Sequence, residues 1–166
     1  MIQTQPREED HVTQAETNKA LVREFYEEID KGNIEALDAL VAENYIDHNP
    51  PPFPGLASGR EGVKQSFRIF LQATPGHHEI EDQIAEGDRV VTRLTSYGKH
   101  EGDLPGAPRT GNDLKMTSIT IHRIANGQLV EACEGCHKEF KPELPSEGIV
   151  HPHTHPFRAT GTAGSK

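Results

Sequence analysis

The sequence contains no apolar run long enough to cross a bilayer, and its opening residues, MIQTQPREED, lack the apolar centre of a secretory signal. Its cations are few and dispersed: 17 Lys and Arg stand against 26 Asp and Glu, a formal charge of −9. A phosphate backbone or an anionic membrane surface requires clustered cations, so the balance argues against nucleic acid and membrane as partners. No glycine-rich phosphate loop of the Walker or dinucleotide type occurs, and no G-x-S-x-G nucleophile elbow. Nothing in the chain therefore demands a nucleotide, a metal or another cofactor. Only two cysteines are present, Cys133 and Cys136, and the expected location is the reducing cytoplasm, where they need not pair.

What is present is one domain's worth of chain. At 166 residues it can bury most of its apolar surface in a single core. Residues 1–12 are polar and acidic and read as a flexible leader, 13–140 as the folded domain, and 141–166, rich in proline, glycine and histidine, as a tail. From Thr13 to Lys31 the apolar residues Leu21, Val22, Phe25 and Ile29 recur at helical spacing. Thr13 with Glu16 forms a capping-box pattern, and Gly32 supplies the stop. Asn33 can cap a second helix with Ile34, Leu37, Leu40 and Val41 inward, and Ser58 with Glu61 opens a third that buries Val63, Phe67, Phe70 and Leu71.

After Pro75 and Gly76 the period changes to two. Alternation through Ile80, Asp82 and Ile84, a turn at Glu86-Gly87-Asp88 and a β-rich run from Val90 to Tyr97 predict one hairpin. The stretch LKMTSITIHRIANGQLVEACEGC predicts a second around Asn126-Gly127, the dipeptide best suited to a type I′ turn. The expected class is α+β, with three helices packed on about four antiparallel strands.

The stretches NKALVREFYEEIDKGNIEALDALVAENYIDHNPP, GREGVKQSFRIF and IEDQIAEGDRVVTRLTSYGKHEGDLPGAPRTGNDLKMTSITIHRIANGQLVEA occur in the order found in the SnoaL-like polyketide cyclase, or ester cyclase, family. The chain resembles that family from about Asn18 to Glu134. The resemblance implies a nuclear-transport-factor-2-like fold: a curved antiparallel sheet forming a cone around an internal apolar cavity, closed by helices, usually dimeric or tetrameric. It also implies a small apolar ligand or substrate as partner. Fold alone does not fix the chemistry, since cyclases, isomerases, hydrolases and binding modules share it.

Candidate site residues follow from strand alternation and from the resemblance. Ser118, Thr120 and His122 share one face of a strand, and Ala132 and Glu134 share a face of its partner. In the family the last strand commonly carries Trp followed by Asp as the general acid/base; the matching pair here is Cys133-Glu134, one methylene longer and without the Trp. A carboxyl in an apolar cavity has its pKa raised by desolvation, as proton abstraction near neutral pH requires, whereas a solvated or ion-paired Glu134 would be only structural. His100 matches a position where relatives often carry histidine, and is either a group that polarises a carbonyl or an exposed loop residue. Tyr26 borders the first helix's apolar stripe, and His122 is either a ligand contact or a packed histidine.

In NYIDHNPPPFPG, three consecutive prolines stiffen a turn bearing Asp47, His48 and Asn49, which either rim the cavity or form Asx-type turns. Cys133-Glu134-Gly135-Cys136-His137 spells the haem-attachment pattern C-x-x-C-H. On a regular strand its thiols face opposite ways unless Gly135 bulges the chain, so it reads as a chance match. His151, His153 and His155 alternate between prolines, a pattern suited to adventitious metal binding rather than catalysis. The leading expectation is cofactor-independent proton abstraction α to a carbonyl followed by intramolecular aldol closure on a polyketide-like ester. The alternatives are a hydrolase using the same carboxylate and a non-catalytic ligand-binding protein.

Overall fold

The computed structural model describes residues 13–138. The expected leader (1–12) and tail (141–166), with the histidines of the latter, lie outside the described residues, as do the side chains of residues 136–138.

Helix α1 spans Gln14–Asp30. Its first turn is held by Thr13, whose hydroxyl accepts from the Glu16 N–H at 3.3 Å. It ends where Gly32 adopts φ +73°, a left-handed conformation that glycine takes without steric cost, and the Asn33 N–H returns to the Glu28 carbonyl at 2.8 Å. Its apolar stripe, Val22, Phe25, Tyr26 and Ile29, is buried.

The second helix is shorter than its periodicity predicts. A 3₁₀ turn, Ile34–Ala36, leads into a single helical turn, α2 (Leu37–Leu40), and the chain then becomes strand β1 (Val41–Asp47). Asn33 does not cap it; its carboxamide donates to Glu28 instead, at 2.5 Å. The stretch 34–41 contains too few turns for helical hydrogen bonding to outweigh a strand partner further along the chain, and tertiary pairing wins. Helix α3 (Gly59–Ala73) begins at Ser58 as expected, although no Ser58 side-chain bond closes the cap.

Four long strands complete the sheet: β2 (Gly76–Glu86), β3 (Arg89–Lys99), β4 (Asp113–Ala125) and β5 (Gln128–Lys138). Both predicted hairpins form, and at the second Asn126 and Gly127 take φ 53° and 74°, as a type I′ turn needs. The strand order is β1-β5-β4-β3-β2. The sheet is mixed rather than wholly antiparallel, because β1 adds to β5 in parallel. The three helices pack on this open five-stranded sheet, the cone-like α+β arrangement expected. One face is covered: Val22, Phe25, Tyr26 and Ile29 of α1 join Val90, Leu94, Leu129 and Ala132 of the sheet in a single core. The opposite, outer face leaves Ile46, Ile84, Ile119 and Ile121 exposed.

Candidate site on the helix-covered face

Register places a polar row across the covered face. Gln83 of β2 pairs with Thr92 of β3, Thr92 with Thr120 of β4, and Thr120 with Glu134 of β5. Directly paired residues of neighbouring strands project to the same side, so four polar side chains line up where a sheet core is ordinarily apolar. Within the row the Gln83 amide donates to the Thr92 hydroxyl at 3.2 Å.

Several of these groups are buried without a partner. Ser118 Oγ, Thr120 Oγ1, Gln83 Oε1 and His122 Nδ1 have no hydrogen-bond partner among the described residues. A buried polar atom left unmatched costs on the order of 1–3 kcal/mol, and four such atoms on one face single it out as the candidate site. His122 is 2 % exposed, with the rings of Phe25 and Tyr26 at 5.8 and 6.0 Å. Burial alone pushes its pKa down to about 4, so the imidazole is neutral at physiological pH.

Glu134 lies half-buried at the end of the row, and its carboxylate has neither a hydrogen-bond nor an ion-pair partner among the described residues. Its backbone is fixed from the proline loop: Asn49 Oδ1 accepts from the Glu134 N–H at 3.2 Å and from Cys133 Sγ at 3.3 Å. The loop is itself tied down. Asp47 Oδ1 accepts from the Asn49 N–H at 2.9 Å, an Asx turn, and the His48 N–H donates to the Ala132 carbonyl at 2.9 Å. His48 Nε2 meets Glu131 Oε1 at 2.7 Å, and Arg123 binds the other Glu131 oxygen at 2.6 Å. Arg123 first, then His48, hold the Glu131 carboxyl below its usual range. Asp47 and His48 are thus exposed and engaged in fixing the loop that positions Glu134.

The sequence reading missed Tyr45. It is buried on β1, and desolvation first, then the neighbouring Asp47, Tyr26, Glu134 and Glu131, raise its hydroxyl well above the ordinary tyrosine value. Only a strand assignment for 41–47 could have flagged it, and the helical pattern of 34–41 concealed that. Gln83 was missed because β2 reads as a half-polar strand until its pairing with Thr92 is known. Tyr26 packs at 5.1 Å from both Phe25 and His78.

His100 is placed in the loop between β3 and β4. It is 7 % exposed, with Nδ1 at 3.2 Å from Thr110 Oγ1 and Nε2 buried without a partner among the described residues. It borders a shallow surface hollow of about 470 Å³ that Lys99, Glu101, Arg109, Thr110 and Gly111 also line. Strand β5 runs without a register shift through Cys133 and position 136, which pair with Ile121 and Ser118 and so fall on opposite faces. Among the described residues no three His, Cys, Asp or Glu side chains converge as a metal site would require.

A family model described as SnoaL-like polyketide cyclase matches residues 20–136. No curated protein matches the chain. Among solved structures, a candidate polyketide cyclase from Bacillus cereus ATCC 10987 is 28% identical at a TM-score of 0.63, over 75% of this chain and 78% of that one. IdmH, a candidate polyketide cyclase from Streptomyces antibioticus, is 26% identical at a TM-score of 0.62, over 72% and 91%. TsrD from Streptomyces laurentii, at 23% identity and a TM-score of 0.66 over 76% and 91%, shares the fold.

Proposed function

The chain belongs to the SnoaL-like polyketide cyclase family, and from that membership we propose that it is a cofactor-independent cyclase acting on a small apolar carbonyl compound of the polyketide ester type. Family and fold support a cyclase or isomerase role. The observation that carries the chemistry is the unpartnered Glu134 carboxylate on the same face as the unmatched atoms of Ser118, Thr120, Gln83 and His122.

In this reading Glu134 removes the proton α to a carbonyl, breaking a C–H bond and leaving an enolate. The enolate carbon then attacks a second carbonyl of the same molecule. A C–C bond forms, the C=O π bond opens, and the new alkoxide takes up the proton that Glu134 or solvent returns. Ser118, Thr120 and neutral His122 hydrogen-bond the developing oxyanion, a role that matters most where water is excluded. Tyr26 lines the site and Asp47 and His48 hold the rim; His100, beside the separate hollow at the far end of β3 and β4, takes no part in the step. Folding the substrate against this face makes closure effectively unimolecular.

The protein acts, in the same reading, as a homodimer or homotetramer in the cytoplasm, a second copy covering the exposed isoleucines of the outer face. The test is Glu134→Gln with a verified substrate. Loss of about 10²-fold or more in kcat supports the mechanism, and unchanged turnover sinks it. Reaction in ¹⁸O-labelled water decides the type: solvent oxygen incorporated into the product would assign a hydrolase using the same carboxylate instead.

A further inference from the structure

A second titratable pair lies on the covered face, away from Glu134. His78, near the start of β2, points Nδ1 at Asp30 Oδ1, 2.6 Å away, while the other oxygen of the same carboxylate accepts the His78 backbone N–H at 2.8 Å. Asp30 is the last residue of α1. With the ring neutral, a carboxylate at Nδ1 orients it and favours the tautomer that carries the proton on Nδ1 and the lone pair on Nε2. Among the described residues Nε2 has no hydrogen-bond partner.

The ring stands beside Tyr26 at 5.1 Å and Phe67 at 6.4 Å, and the side chain is 18% exposed. It is therefore shielded by aromatic walls yet within reach of a bound molecule. Tyr26 is a ring neighbour of both His78 and His122, at 5.1 and 6.0 Å. Among the described residues the titratable groups facing His78 are Asp30 and Tyr26 of α1; α3 contributes Phe67, and the paired residue on β3 is Ser96. The backbone bond ties α1 to β2, and the second bond, to Nδ1, orients the ring as an orienting carboxylate does beside a histidine base.

We propose that His78, oriented by Asp30, is a second proton-transfer group of this face, taking up and returning the proton of an enolic or phenolic hydroxyl bound beside Tyr26. The inference rests on the reading that the covered face is the active site. In the step, the ligand O–H bond breaks, the proton moves to Nε2, and the electron pair stays on oxygen. The ligand becomes an enolate or phenolate, His78 an imidazolium, and Asp30 balances its charge. No electron leaves the pair of molecules, so no oxidant is involved. Asp30 is a positioning residue, since it acts through His78.

The test is 4-nitrophenol added to the full chain at a pH where the free probe is mainly the neutral phenol, read by the phenolate absorption band. The wild type is expected to bind the probe as phenolate. His78→Gln should abolish that band, and Asp30→Asn should weaken it at least about tenfold, as loss of an orienting carboxylate does. His77→Gln should leave it intact, because His77 is exposed and stacks on Tyr97 at 5.2 Å. Should His78→Gln not fold, Asp30→Asn decides, since asparagine still accepts from the His78 N–H. A probe that does not bind, that binds as the neutral phenol, or that stays phenolate in the variants overturns the proposal. The readout needs no turnover, so a phenolate band that obeys His78 together with unaffected turnover in Glu134→Gln would sink the cyclase mechanism and leave this inference standing.

Discussion

His122 shows how far burial can take a residue from its solution chemistry. Its imidazole has a pKa of about 4 when folded against about 6.5 when free. Between those values the unfolded chain binds more protons than the folded one, so stability is full above pH 6.5 and falls as pH drops towards 4. The loss attributable to this residue is roughly 3 kcal/mol at its limit. Denaturant titrations at pH 7 and pH 4.5 should show it, and His122→Phe should flatten the difference. At this scale the sequence was informative wherever period-two alternation sufficed: Ser118, Thr120 and His122 do share the covered face. It was silent on Gln83, Tyr45 and the Asp30–His78 pair, because each owes its place to register or to a partner 9 to 48 residues away. Asp47 was legible as an alternative only; its carboxylate makes the Asx turn that residues before proline often make.

Among the elements, hairpins were more legible than helices. The β4–β5 turn follows from two residues, Asn126 and Gly127, whose left-handed backbone few other residues tolerate. Gly127→Ala should cost about 1–2 kcal/mol, read as a lower denaturation midpoint with an unchanged slope. The α2 and β1 region failed because local periodicity and long-range pairing disagreed, and pairing prevailed. Helix α3 is secured in a way composition does not reveal. Lys64, buried at 3% exposure, donates to Glu35 at 2.7 Å and Asp38 at 3.0 Å, while Arg60 donates to the Asp38 and Val41 carbonyls. Glu35, followed by Asp38, raises the Lys64 pKa, so the ammonium stays charged throughout the neutral range. Lys64→Met should lower the melting temperature and leave the salt dependence of stability weaker than in the wild type.

For the molecule as a whole, the covered and outer faces divide the labour. The covered face carries unmatched polar groups; the outer one carries Ile84, Val91, Ile121 and Cys133 in one row, with Ile119 and Ile46 alongside. Ile84 is 64% exposed and Ile119 is 51% exposed, more large apolar surface than a lone sheet face ordinarily leaves to water. If a second copy covers it, Ile84→Lys with Ile119→Lys should halve the sedimenting mass while the far-ultraviolet spectrum is unchanged. A wild type that sediments as a monomer would remove that reading.

Among the described residues strand β1 has one sheet neighbour, β5, and the two lie some eighty residues apart in the chain. During synthesis β1 and its proline loop leave the ribosome long before anything exists for them to pair with. The edge of β1 has no β5 to pair with until the last hairpin emerges, and closing a contact so distant in sequence carries a loop-closure cost. Asn49 then meets Glu134 in that final event. A nascent chain halted before residue 128 would thus lack β5, and with it Glu134 and the partner of Asn49, so the proposed acid/base site can be completed only after the last hairpin has formed.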